Sequence, residues 1–213
     1  MNRYTSILPD GGAPAPASIA IITDAWHPQT NGVVRTLSTT CEVLRGWGHE
    51  VTVISPEGHP SIPAPTYPEI RLALTLPGAV GRQLARIAPD AVHIATEGPL
   101  GFAARAYCLR RKVPFTTAYH TQFPDYLARR TGLPARVFWP YIRWFHRPAE
   151  TIMVATETIR AQLREQGLTH LSHWSRGVDL ACFSPNAPPP PAKARLARAF
   201  SLWDSGKRGR THE

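Results

Sequence analysis

The sequence predicts a doubly wound α/β fold on a mostly parallel, Rossmann-like sheet. Three observations carry this. Short β-branched and apolar runs recur along the chain: SIAIIT, VTVIS, DAVHIAT, VPFTTAY and TIMVAT. These runs are continuously apolar rather than alternating, as strands covered on both faces are. Stretches with apolar residues at helical spacing separate them, and β-α units in series argue for parallel strands with helices on both sides.

The elements follow in order. Residues 1–17, rich in Gly, Pro and Ala, read as a flexible leader, and the core opens at Ser18. After SIAIIT comes the polar loop DAWHPQTNG. Val33, Val34, Leu37, Cys41, Leu44 and Trp47 then share one helical face, which Gly46 and Gly48 can end. VTVIS is the second strand. Residues 59–68 contain Pro60, Pro63, Pro65 and Pro68 and are expected to form an extended loop, with RLAL a short strand after it. A helix is expected over 78–88, a strand at DAVHIAT, a helix at GFAARAYCLRR and a strand at VPFTTAY. Helical stretches at about 124–131 and 135–147, strand TIMVAT, helix ETIRAQLREQG and strand LSHWS complete the domain, which spans 18–184. PNAPPPP begins a stiff Pro-rich linker, and 185–213 read as linker plus a basic, disordered tail.

A chain of 213 residues with 43% hydrophobic content can bury one sizeable core. Its net charge of +9 suits an anionic ligand, an acidic membrane or a nucleic acid without choosing among them. Part of the excess sits in the tail, and no helix-turn-helix, zinc-finger or RNA-binding signature accompanies it, so no nucleic-acid partner is expected. Cys41, Cys108 and Cys182 are odd in number and lack CxxC spacing, which points to a reducing compartment. No signal peptide or spanning apolar stretch is seen, and a cytoplasmic location is expected.

In a doubly wound sheet ligands bind outside the carboxyl ends of the strands, so the loops there hold the candidates. Asn31-Gly32-Val33 opens the first helix. There Gly32 lets a ligand approach the backbone, and free N–H groups attract phosphate. The same residues also read simply as a turn and helix cap. His120 follows a strand, where it serves either as a hydrogen-bonding site residue or in packing. Glu97 and Gly98 form a glycine-rich turn at an equivalent edge. Arg176 and Asp179 lie in a polar turn leading out of the domain. G-x-G-x-x-G is missing, which argues against a nicotinamide-linked oxidoreductase. His170 and His173 are the only close histidine pair, and without further ligands no metal is expected. In ARRTGLPARVFWPYIRWFHR, Arg136, Trp139, Arg143, Trp144 and Arg147 suit a lipid headgroup layer. Phe138, Ile142 and Phe145, at helical spacing, suit a core helix equally.

Five segments in order, TDAWHPQTNGVVRTL, GHEVTVISP, PDAVHIATEGPLG, VPFTTAYHTQFPDY and SRGVDLACFSP, resemble the N-terminal, acceptor-side domain of retaining GT-B glycosyltransferases of family four. The likeness covers roughly 18–185. It is nearest to members that move mannose, glucose or a sulfosugar onto lipid-linked acceptors. It implies one half of a GT-B fold and hexosyl transfer, with retention, from a nucleotide-diphospho-sugar such as GDP-mannose or a UDP-sugar to a lipid-linked or sugar acceptor. No cofactor beyond the substrates and no metal is implied.

By this resemblance His120 is the active-site histidine, and Asn31, Gly32 and Val33 form the donor phosphate and sugar loop. Asp24, Glu97 and Gly98 line the acceptor side, and Arg176 and Asp179 belong to the hinge. Members of this kind associate peripherally with anionic membrane, here the inner face of the plasma membrane. Complete members carry a second, donor-binding domain, which the 28 residues after Pro185 do not supply. The chain alone is therefore expected to transfer sugar poorly or not at all. The alternative is an inactive fragment or an acceptor- or lipid-binding module, paired with a separately encoded donor domain.

Overall fold

The computed structural model describes residues 15–64, 67–75, 77–120 and 122–174. Their order is β1 (Ser18–Ile22), α1 (Gly32–Gly46), β2 (Glu50–Ile54), β3 (Ser61–Ala64), β4 (Tyr67–Ala73), α2 (Pro77–Ile87), β5 (Ala91–Ile94) and α3 (Pro99–Arg111). Next come β6 (Thr116–Tyr119), α4 (Phe123–Thr131), α5 (Trp139–His146), β7 (Thr151–Val154), α6 (Glu157–Glu165) and β8 (Leu171–His173).

Six strands form one parallel sheet in the order β2-β1-β5-β6-β7-β8. The chain steps from β1 to β2 on one side, then returns to place β5 on the other. The switch point of the sheet thus lies between β1 and β5, where the loops leaving neighbouring strands diverge and a crevice opens.

Strand alternation decides which side chains meet which helix. Ile21 and Val51 point to one face and pack with Leu37 and Cys41 of α1. Ala20, Ile22, Val92 and Ile94 point to the other, against Val80 and Leu84 of α2, Leu100, Ala104 and Cys108 of α3, and Phe145 of α5. On that second face Ile152 and Val154 continue the core with Trp139 and Ile142 of α5 and Leu163 of α6. Beyond α1 the first face carries a shallow groove of about 290 Å³ bordered by Ile19, Leu44, His93, Met153 and Trp174.

Two expectations need correction. The extended loop at 59–68 is instead part of a two-stranded antiparallel ribbon, β3 with β4. A two-stranded ribbon tolerates prolines because each strand keeps an edge that needs no N–H. The helix expected over 135–147 is broken into a 3-10 turn, Ala135–Val137, and α5. Pro140 sits in the first turn of α5, the place in a helix that does not use its missing N–H.

Candidate functional site

The switch-point crevice is built around one carboxylate. Asp24, in the loop after β1, is 7% exposed. Its Oδ1 accepts from Leu100 N at 2.9 Å, and its Oδ2 accepts from Thr96 Oγ1 at 2.9 Å and from Gly101 N at 3.4 Å. Asp24 N donates to Thr96 Oγ1 at 2.7 Å. Asp24 thus caps α3 from a distant loop. It does what the N-cap residue Gly98, without a side chain, cannot do. A Cβ on Gly98 would overlap the Asp24 carboxylate, which explains the glycine at that position. Burial holds the Asp24 carboxyl above its ordinary range, and the bonds from Leu100, Thr96 and Gly101 pull it back in part.

Glu97 stands beside this link. Its Oε1 accepts from His146 Nε2 at 3.1 Å, and His146 Nδ1 lies 2.9 Å from Thr117 Oγ1. The Tyr141 hydroxyl donates to the Glu97 carbonyl. His146 is fully buried, whereas the Glu97 side chain keeps 11% exposure. Sequence reasoning missed His146, Thr117, Thr96 and Tyr141. A signal was present: Ile142, Phe145 and His146 share the inner face of one helix, which puts an imidazole where an apolar residue is usual.

Asn31 is the N-cap of α1. Its Oδ1 accepts from Val33 N and Val34 N, both at 3.0 Å, and its Nδ2 donates to Gln29 Oε1 at 3.2 Å. Gln29 in turn donates to the Asp24 carbonyl at 3.4 Å. The two N–H groups that Asn31 engages are thereby occupied, so any anion at the start of α1 would have to compete with Asn31 for them.

His120 directly follows β6, and its ring lies against Trp174, with centroids 5.3 Å apart. Trp174 also meets His93 edge-on at 5.8 Å. Trp174 was also missed, because its role depends on β8 lying beside β7. His93 Nδ1 meets Thr116 Oγ1 at 2.8 Å. Its imidazole is pushed down to about 3 by burial, with His120 adding to the effect. The unfolded chain takes up that proton near pH 6.5, before the folded one does. Stability linked to His93 is therefore complete above pH 6.5 and is lost as pH falls toward 3. Urea melts at pH 7.5 and 5.0 are expected to show a drop smaller by about 2 kcal/mol in His93→Gln than in wild type. Equal drops in both would refute this account.

Along the arginine-aromatic segment the two readings divide between two faces of α5. Trp139 is 7% exposed and stacks on Tyr119, so it belongs to the core; its expected place on an outer face is corrected. Spacing explains this, since Trp139, Ile142 and His146 fall on one side of the helix. Trp144 is 44% exposed, stacks on Phe102 of α3 at 5.7 Å and lies 3.8 Å beneath the Arg105 guanidinium. Arg136, Arg143 and Arg147 are exposed nearby in sequence, and Arg143 reaches Gln166 Oε1 at 3.1 Å. No described helix is long and apolar enough to cross a membrane.

Arg176 and Asp179 lie outside the described residues, as does Cys182. His170 donates through Nε2 to the His146 carbonyl at 3.3 Å, while His173 faces solvent. Among the described residues no cluster of three or more His, Cys, Asp or Glu forms.

A parallel doubly wound sheet with a polar network at its switch point makes a Rossmann-like domain. The sequence of the chain matches the model of Glycosyltransferase Family 4 over residues 30–181, and the chain belongs to that family. It is 31% identical over 191 residues to a GDP-mannose-dependent alpha-mannosyltransferase of Mycobacterium tuberculosis, covering 79% of this chain and 50% of the relative. It is 33% identical over 159 residues to a sulfoquinovosyl transferase of Arabidopsis thaliana, covering 67% and 31%. An alpha-monoglucosyldiacylglycerol synthase of Acholeplasma laidlawii is 32% identical over 123 residues, covering 51% and 31%. The chain thus spans at most about half the length of these curated relatives.

Proposed function

We propose that this chain supplies the acceptor-side half of a retaining hexosyltransferase. In this reading the donor is a nucleotide-diphospho-sugar, GDP-mannose or a UDP-sugar, and the acceptor a lipid-linked or sugar hydroxyl. The observation that carries the reading is the Asp24–Thr96 link at the sheet's switch point with Glu97 beside it. Thr96 and Glu97 lie inside the region matched to the family, and Asp24 lies just ahead of it. The acceptor hydroxyl approaches beside Glu97 and Gly98, and His120 contacts the transferred sugar or that hydroxyl from the neighbouring strand end. Gly32 and Val33 take the donor phosphate at the start of α1, with Asn31 yielding its cap bonds as the phosphate arrives. Arg176 and Asp179 serve the hinge toward a donor-binding lobe. Charge grows on the departing phosphate during transfer, so cationic groups of that lobe must stabilise it.

The relatives' printed names carry a mannosyl donor in one case and a diacylglycerol product in another, which favours GDP-mannose and a glycerolipid as first trials. The exposed ridge of Trp144, Arg143, Arg136 and Arg147 suits peripheral docking on anionic lipid at the cytoplasmic face.

The test uses radiolabelled GDP-mannose and UDP-glucose with diacylglycerol in anionic vesicles. The chain is assayed alone, and together with the donor lobe of the mycobacterial relative. Transfer is expected only in the mixture, and His120→Ala is expected to lower it by about 10²–10³. Normal turnover by the chain alone, or by the His120→Ala mixture, would sink the proposal. Vesicle co-sedimentation of Arg143→Ala/Trp144→Ala checks the lipid ridge, and binding equal to wild type would rule it out.

A further inference from the structure

We infer that His146 is a positioning residue which, backed by Thr117, fixes the Glu97 carboxylate as a hydrogen-bond acceptor for a neutral, hydroxyl-bearing headgroup. This rests on the reading above, in which Glu97 lines the acceptor side.

His146 is fully buried on α5 and has a polar partner at each ring nitrogen. An ionised carboxylate only accepts hydrogen bonds, so the nitrogen facing Glu97 Oε1, Nε2, must carry a proton. In the neutral ring Nδ1 then accepts, and the Thr117 hydroxyl donates to it. Glu97 thus sets the tautomer, and Thr117 satisfies the bare Nδ1 that this tautomer leaves buried. The Tyr141 hydroxyl fixes the backbone of the same residue by donating to its carbonyl. Tyr141 and His146 come from α5 and Thr117 from β6, so two elements, α5 directly and β6 through His146, hold Glu97 in the loop after β5.

Glu97 keeps 11% of its side chain open, and its engaged oxygen is Oε1. Oε2 is left to accept from an incoming donor. The Asp24 carboxyl lies close enough for Glu97 to raise its proton affinity, so two acidic groups share this edge. Such a field favours a hydroxyl group, which donates to a carboxylate, and opposes a phosphate. The headgroup this subsite takes is therefore a neutral sugar or polyol.

The experiment is carried out on the 213-residue chain. Long-range proton–nitrogen spectra of the ligand-free protein read the His146 tautomer. The expected result is a proton on Nε2 and a hydrogen-bonded Nδ1 in wild type, and a displaced Nδ1 resonance in Thr117→Val, which removes the donor to it. A His146 protonated at Nδ1 alone overturns the proposal whatever any ligand does.

Binding is then read by titrating monomeric octyl glucoside, with glycerol 3-phosphate as the anionic comparison. Octyl glucoside is expected to shift the His146 Nε2–H resonance, and glycerol 3-phosphate to leave it in place. Glu97→Gln and Thr117→Val are each expected to weaken octyl glucoside binding roughly tenfold, the scale of one hydrogen bond to a charged group. Thr117→Ser, which keeps the hydroxyl, is expected to bind as wild type. That rescue separates positioning from packing, because valine matches threonine in shape. His146→Gln serves as a further variant if its near-ultraviolet spectrum stays native. Weakening by Glu97→Gln with no effect of Thr117→Val or His146→Gln overturns the role of His146 and leaves the acceptor-side reading standing. Wild-type binding in Glu97→Gln, or failure of wild type to bind octyl glucoside, overturns that reading and the proposal with it.

Discussion

Gly101→Ala is expected to lower the melting temperature by roughly 6–12 °C, corresponding to a loss of about 3 kcal/mol. Gly101 lies in the first turn of α3, and a Cβ there would overlap the carbonyl oxygen of Thr96. The carbonyl carbon of Thr96 and Cγ2 of Ile94 would also stand only 3.1 and 3.2 Å from it. The obstruction is backbone, which no rotamer change relieves. Nor can Thr96 step aside, because its hydroxyl both donates to the Asp24 carboxylate and accepts from the Asp24 backbone. The helix would have to move off the sheet, taking Leu100 and Ala104 from the core. Gly46→Ala is the control. Nothing lies within 4 Å of a Cβ at Gly46, so alanine near the end of α1 is expected to be neutral or mildly stabilising. Thermal melts of the two variants check the contrast. A Gly101→Ala protein that melts with wild type would show that α3 sits less tightly than described.

Asp24→Ala is expected to cost on the order of 3–4 kcal/mol, because it strands the N–H groups of Leu100 and Gly101 in a buried place and removes the partner of Thr96. Asp24→Asn keeps one acceptor and is expected to cost about half as much. Urea unfolding measures both. The comparison also bears on function: a residue that only touched an acceptor from the rim would cost little stability. A loss below about 1 kcal/mol for Asp24→Ala would mean that the link between the loops is not what holds α3.

The parallel sheet was legible because its strands are buried on both faces and so read as unbroken apolar runs. The positions of Glu97, Gly98, Asn31 and His120 at strand ends were legible for the same reason: once strands are placed, their carboxyl edges follow. What could not be read was which loops touch. The resemblance marks Asp24 as an acceptor-side residue, but nothing in DAWHPQTNG marks it as a helix cap. Its capping of α3 depends on β1 and β5 being neighbours, which the order of elements in the chain does not reveal. His146 was hidden by the same limitation, since its partners lie on β6 and in the loop after β5. The β3–β4 ribbon was misread because four prolines suggested irregular chain, although two-stranded pairing asks for only half of each strand's N–H groups. Trp139 was assigned outward because composition alone cannot phase a short helix that starts after a 3-10 turn.

The bond between Asp24 and the start of α3 joins residues 76 and 77 positions apart. Closing so long a loop costs entropy that local helix formation does not return until α3 is in place. During synthesis the first β-α loop therefore leaves the ribosome well before its anchor exists. Strand β1 and helix α1 can form early, but the crevice between the first and fifth strands acquires its shape only after the chain has been made past Gly101. Truncated nascent chains ending before that point are expected to present Asn31 and Gly32 on a loop without its floor. The part of the molecule that reads as earliest in the sequence is thus among the last to become a site.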